Sequence, residues 1–169
     1  MSVLPKLQKF LDENKAKYDV VEHKKVYTTY DAAQTQKEDL KRVAKTLLVA
    51  ADRDYAFVVV PGNKRFDQNK LKKLINESRK KQAKEEGEKP KLVKKVKLTT
   101  EAMIKKNITK KMGALAPFGS IYKIPTYWDK GLDKPKKVLL NAGSFTESIE
   151  MTPAEYKKLE DPVEGRFSK

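Results

Sequence analysis

The chain has 169 residues, room for one domain and a sizeable core, and 38% of them are hydrophobic, which excludes a wholly disordered chain. Thirty-eight Lys and Arg face twenty-three Asp and Glu, a formal charge of +15, so polyanions are the expected partners: nucleic acid first, an anionic membrane surface second. With no Cys and one His, a disulfide, a thiolate or histidine-built metal site and a cysteine nucleophile are excluded.

In chain order, Pro5 to Lys17 reads as an amphipathic helix, with Leu4, Leu7, Phe10 and Leu11 at helical spacing. Tyr18 to Glu22 reads as a strand. Thr29 to Ala33 opens a second helix capped by Thr28 or Thr29. Thr46–Ala51 and Tyr55–Val60 are apolar runs around Asp52-Arg53-Asp54, the pattern of a strand pair and a tight turn. Asp67 is placed to cap a helix carrying Leu71, Leu74 and Ile75 on one face.

The stretch from Glu77 to Lys111 holds thirteen basic and five acidic residues. Glu85 to Pro90 reads as an exposed loop within it. Leu92, Val93, Val96 and Leu98 suggest a short strand, and Thr100-Glu101 leads into a helix with Met103 and Ile104. Further strands are expected at Ile121–Thr126, Val138–Leu140 and Phe145–Met151. Thr152-Pro153 reads as a cap and first-turn proline of a last helix ending at Leu159. Asp161 to Lys169, poor in apolar residues, reads as a polar tail or linker. The expected architecture is a single α/β domain at 1–160, with a mixed central sheet, flanking helices and a lysine-rich insertion around 77–111.

Three stretches bear on chemistry. Lys45 precedes a wholly apolar run. It reads either as a lysine at the mouth of a cleft, holding a phosphate or polarising a carbonyl, or as a surface lysine before a strand. Gly113-Ala114-Leu115-Ala116-Pro117-Phe118-Gly119 reads either as a loop offering backbone N–H groups to a carbonyl or oxyanion, or as a turn between helix and strand. Asn141-Ala142-Gly143-Ser144 offers polar groups to a substrate, and equally suits a turn. His23 is placed to line the same cleft or to stay structural. Tyr122, Tyr127 and Trp128 read as base-stacking or core residues. No serine sits in a nucleophile elbow, and no phosphate-loop or dinucleotide fingerprint occurs. No run of about 18 apolar residues and no signal-peptide layout is present, so a cytoplasmic protein off the membrane is expected.

Lys45-Thr46-Leu47, Gly113-x-x-x-Pro117 and the late Gly143-Ser144 turn, in that order, resemble the YbaK/ProX superfamily of aminoacyl-tRNA editing proteins. Glu22-His23-Lys-Lys-Val26-Tyr27-Thr28 is similar to its early His-x-x-Val-aromatic-Thr segment. Val58–Pro61 with Asp67 and Leu71 resembles its central strand and helix. The resemblance spans roughly Leu7 to Leu159.

That resemblance implies a partly barrel-like central sheet, and hydrolysis of the ester joining a wrong amino acid to tRNA. It implies no cofactor, no metal and no protein nucleophile: a ribose hydroxyl of the terminal adenosine, or the substrate's own side chain, assists the water. Lys45 then contacts the terminal adenosine or the carbonyl, and Gly113 with its neighbours directs N–H groups at that carbonyl. His23, Thr28, Thr46, Ala114, Leu115, Ala116, Pro117, Asn141, Gly143 and Ser144 are the expected substrate contacts.

The chain departs from the family in two ways. Its stretch between Lys45 and Gly113 is longer than in compact bacterial members, and Lys94, Lys95 and Lys97 in it are expected to grip tRNA. Asn141 stands where cysteine-specific deacylases carry serine, and Ser148 where they carry aspartate. The expected substrate is therefore alanyl-tRNA(Pro), with seryl-tRNA next, and a synthetase or synthetase complex is a further expected partner. The competing readings are a tRNA-docking module without turnover and a basic RNA- or ribosome-associated protein without a pocket.

Overall fold

The computed structural model describes residues 5–22, 40–99, 115–144 and 146–169. The helices expected to begin at Thr29 and at Thr100 lie outside them. Helix α1 (Pro5–Glu13) buries Leu7 and Leu11. Strand β1 is Asp19–Glu22. Strands β2 (Ala44–Ala51) and β3 (Asp54–Pro61) form the expected antiparallel hairpin. Asp52 takes φ +56° in its turn, a conformation that Asp tolerates. The Asp52 carboxylate accepts hydrogen bonds from the backbone N–H groups of Lys94 and Lys95, which hold its pKa below the ordinary value.

Helix α2 (Gln68–Glu86) starts at Asp67, whose side chain accepts from the N–H groups of Asn69 and Lys70. It runs on through Glu85 and Glu86, so the first part of the lysine-rich stretch is helix. Gly87, at φ +70°, ends it in the left-handed conformation. Strand β4 is Val96–Leu98, shorter than the apolar pattern from Leu92 suggests.

Strand β5 is Thr126–Asp129, β6 Val138–Asn141 and β7 Glu147–Met151. Helix α3 (Pro153–Glu160) carries the expected Thr152 cap, which accepts from the Glu155 N–H, and a first-turn proline. Strand β8 is Val163–Gly165.

The described strands form two sheets, in the orders β1-β7-β6 and β4-β2-β3-β5-β8. The second is mixed, with β5 parallel to β3 and β8 parallel to β5. A single parallel bridge, Val43 to Leu139, links the two. The α/β class, mixed strands and single domain agree with expectation. The partly barrel-like sheet does not: the strands lie in two sheets and do not close.

One face of β2 and β3 carries Ala44, Leu48, Phe57 and Val59. Ala44 and Val59 lie in a core with α1, with Tyr156 of α3, and with Ala116 and Phe118. The other face carries Leu47, Val49, Val58 and Val60 against Leu71 and Ile75 of α2. Trp128 is fully buried and stacks on Tyr156, and Tyr127 is buried, so both serve the core rather than stacking bases.

Two segments differ from expectation. Ile121–Thr126 is not a strand: Gly119–Tyr122 is a 3-10 turn, closed by Lys123 at φ +59° with N–H bonds back to Gly119 and Ser120, and β5 starts only at Thr126. Residues 161–169, expected as a tail, close the sheet edge instead. β8 pairs with β5, Phe167 is fully buried, and the Asp129 carboxylate accepts from the N–H groups of Phe167 and Ser168. One aromatic anchor and one buried carboxylate order a segment that is otherwise polar.

Candidate active site at the fork of the second strand

Strand β2 changes neighbours along one edge. At its start the Val43 bridge joins it to β6. From Val49 to Ala51 it pairs with β4, and Leu48 O accepts from Thr99. Among the described residues, no strand pairs with that edge between Val43 and Leu48. Lys45, Thr46 and Leu47 occupy this fork, the kind of place where strand order changes and ligands bind in open sheets.

Register places polar residues on one face of the fork. Lys45 and Asn141 each lie two residues beyond the parallel-bridged pair, so they share a face. Asn141 stands directly opposite Ser148 in the β6–β7 ladder. Lys45, on the open edge of β2, therefore shares a face with the paired Asn141 and Ser148. The two positions that depart from the cysteine-specific pattern are neighbours.

Lys45 is half-buried, and its Nζ donates to the backbone carbonyl of Lys64 at 2.5 Å. Burial, then the Arg65 charge, lowers its pKa below the ordinary lysine value. A cation held there, partly desolvated, acts more strongly on a nearby phosphate or carbonyl oxygen than one in bulk water.

Thr46 points to the opposite face, as strand alternation requires. Its Oγ1 is buried and, among the described residues, has no hydrogen-bond partner. Leu115, Ala116 and Pro117 are buried on this Thr46 side: Leu115 against Leu48 and Phe57, Ala116 in the core with Ala44 and Val59. Alternation thus puts Lys45 on the same face as Asn141, and Thr46 on the same face as Leu115 and Ala116, on opposite sides of the strand pair.

Helix α3 clamps the loop. The buried Tyr156 hydroxyl donates to Pro117 O, and burial, then Glu160, keeps its pKa well above the ordinary value, so it remains a donor. Glu160 Oε1 accepts from the Ser120 N–H at 2.8 Å, from the Ser120 hydroxyl at 2.9 Å and from the Thr126 hydroxyl at 3.0 Å. Sequence reading missed both clamp residues. Their one signal is helical spacing, four residues apart on a helix whose apolar face is already accounted for.

Burial raises the Glu160 pKa despite those three bonds, and its Oε2 is buried without a partner. The native state therefore holds the Glu160 proton more tightly than the unfolded chain does. Its contribution to stability is complete below the ordinary carboxyl value of 4.5 and is lost as pH rises through the raised folded value. Glu160→Gln is expected to flatten this fall in urea midpoints across weakly acidic pH. An unchanged slope would show that Glu160 does not set it.

Gly143 takes φ +72°, and Ser144 is buried with its Oγ accepting from the Thr146 N–H, so this segment is a turn as well as a candidate contact. His23, Thr28, Gly113 and Ala114 lie outside the described residues. Lys94, Lys95 and Lys97 are exposed at β4, at the far end of β2 from Lys45. Among the described residues, no group of three His, Cys, Asp or Glu is placed to hold a metal, and no helix is long and apolar enough to cross a membrane.

A family model described as an aminoacyl-tRNA editing domain matches residues 23–159. No curated protein sequence matches the chain. Among solved structures, the hypothetical protein APE2540 superposes with a TM-score of 0.81 at 20% identity, covering 97% of this chain and 99% of that one. A structure described as a candidate trans-editing enzyme for prolyl tRNA synthetase superposes with a TM-score of 0.74 at 19% identity, covering 99% of both chains. At these identities the likeness is one of fold.

Proposed function

Because the chain belongs to the aminoacyl-tRNA editing domain family, we propose that it is a deacylase of mischarged tRNA, free-standing or synthetase-associated, with alanyl-tRNA(Pro) as its substrate. The observation that carries this reading is Lys45 at a strand edge with which no strand pairs among the described residues, on the face of the Asn141–Ser148 pair, with the Leu115–Pro117 loop held on the other side. A fold shared with a candidate trans-editing enzyme for prolyl tRNA synthetase supports the choice of tRNA(Pro).

In this reading Lys45 holds the terminal adenosine or the ester carbonyl. Lys45 and the loop then approach the ester from the two sides of the strand edge, with backbone N–H groups of Gly113, Ala114 and their neighbours as the proposed donors to the oxygen that becomes negative. Water adds to the carbonyl carbon, helped by a ribose hydroxyl of the same adenosine. The bond from that carbon to the ribose oxygen breaks, and the oxygen takes a proton. Positioning and fixed dipoles supply the acceleration, so no side-chain nucleophile is needed. His23, Thr28, Thr46, Gly143 and Ser144 complete the contacts. Lys94, Lys95 and Lys97 add electrostatic grip on the tRNA body. The protein acts in the cytoplasm.

Asn141 and Ser148 present neutral polar groups where a cysteine-specific site has serine and aspartate. A site without that aspartate carboxylate favours a small uncharged side chain. Alanyl-tRNA(Pro) is expected to be hydrolysed about 100-fold faster than prolyl-tRNA, the discrimination by size that one pocket gives. Release of serine or cysteine in preference to alanine would overturn the specificity. Binding of tRNA with no hydrolysis of any of these substrates would favour the non-catalytic tRNA-docking module.

A further inference from the structure

Beside the fork lies a cleft of about 1050 Å³ between the segment after β3, the segment after β5 and the chain end after β8. Eight of its fifteen lining residues are Lys or Arg, and two are acidic. Thirty-eight basic residues in 169 would place three or four there, so the cleft is enriched well beyond the chain's general basicity.

Neither acid neutralises the cleft as a whole. Asp129 is buried and spends its carboxylate on the N–H groups of Gly131, Phe167 and Ser168. Glu150 is taken up by Arg42 at 2.7 Å and Lys137 at 3.9 Å. Lys64, Lys70, Lys134, Lys136 and Arg166 are all exposed, and none has a salt bridge among the described residues.

We propose that this cleft is a binding site for the phosphodiester backbone of RNA, seating the body of a substrate whose acylated end reaches the fork. The cations come from separate chain segments and stay hydrated, the arrangement that suits an extended polyanion. A single small anion wants converging, buried donors instead. A lipid surface wants apolar side chains among the cations, but the exposed large apolar residues of the described chain, Val20, Leu92 and Leu98, all lie outside the cleft. Lys64 links cleft and fork: the residue lines the one, and its carbonyl accepts the Lys45 Nζ bond in the other.

That the RNA is tRNA rests on the proposed function; that the cleft takes an RNA backbone does not. The test measures binding of unacylated tRNA(Pro) transcript to wild-type protein and to K134E/K136E/R166E, across a salt series. Hydrolysis of a minimal 3′-alanyl-adenosine ester by both proteins is measured in parallel. The triple variant is expected to bind tRNA about 10-fold or more weaker, with a salt slope shallower by about 2–3, as three lost phosphate contacts require. Its hydrolysis of the minimal ester is expected to match wild type.

Unchanged tRNA affinity and slope in the folded variant would overturn the proposal. So would loss, in the variant, of binding to phosphatidylserine vesicles with no loss of RNA binding. Reduced RNA binding alongside a wild-type protein that hydrolyses no ester would uphold the cleft and sink the deacylase. K134Q/K136Q/R166Q provides the same comparison should the Glu variant fail to fold.

Discussion

Lys45→Ala is expected to slow deacylation of alanyl-tRNA(Pro) by about 100-fold or more, the usual cost of losing one preorganised charge at a developing oxyanion. Stability is expected to move by only about 1 kcal/mol. The variant loses the bond to Lys64 O, but it also removes a charge that burial and Arg65 disfavour. Catalysis and folding therefore separate at this residue. Because its pKa is lowered, the protonated form is lost below the ordinary lysine value of 10.5, and activity that depends on the cation falls on the alkaline side before that point. Lys45→Arg, which stays charged, is expected to keep part of the activity and to move that fall to higher pH. Deacylation undiminished in Lys45→Ala would remove Lys45 from the mechanism. An alkaline limb unmoved in Lys45→Arg would assign that limb to another group.

The same residue shows how much of the site can be read from sequence. An isolated lysine before an apolar run locates the start of β2. The paired apolar runs and the Asp52-Arg53-Asp54 turn then specify the hairpin, because their signals are local. Caps at Asp67 and Thr152 are local too, and both helices begin where those residues place them.

The fork is not local. It exists because Val43 meets Leu139, nearly a hundred residues on, while Val49 meets Leu98. Neither meeting leaves a mark on the composition around Lys45. Alternation along β2 does leave one. Lys45 and Thr46 are adjacent in a strand and so cannot face the same way, which separates Lys45 from the side that carries Leu115 and Ala116. Asn141 and Ser148 were visible as odd residues, but their pairing depends on the register of β6 against β7.

The terminal segment was misread for a similar reason. Its order depends on Phe167 entering a distant core and on Asp129 waiting for two N–H groups. Ile121–Thr126 has the apolar content of a strand, yet the Gly119 carbonyl captures the Ile124 N–H and bends the chain first.

Gly119→Ala is expected to be strongly destabilising, at about 3 kcal/mol or more. A Cβ at Gly119 would lie 2.1 Å from Ile124 O, 2.5 Å from Thr126 Oγ1 and 3.0 Å from Phe57 Cδ2. The first of these is backbone, of a residue already held by its N–H bond to Gly119 O. The second belongs to the Glu160 clamp and accepts the Gly119 N–H at 3.0 Å. Neither can retreat without opening the Leu115–Gly119 loop, so activity is expected to fall along with stability.

Gly165→Ala is the internal comparison. Its Cβ would meet Leu74 Cδ2 at 2.6 Å, but that is the far end of a side chain with other rotamers available. A smaller loss is expected there, about 1 kcal/mol. Urea denaturation of the two variants decides the matter. Equal losses would mean that crowding alone sets the cost. A much larger loss at Gly119 would show that the loop is held rigid from its far end, which is what a site that works by positioning requires.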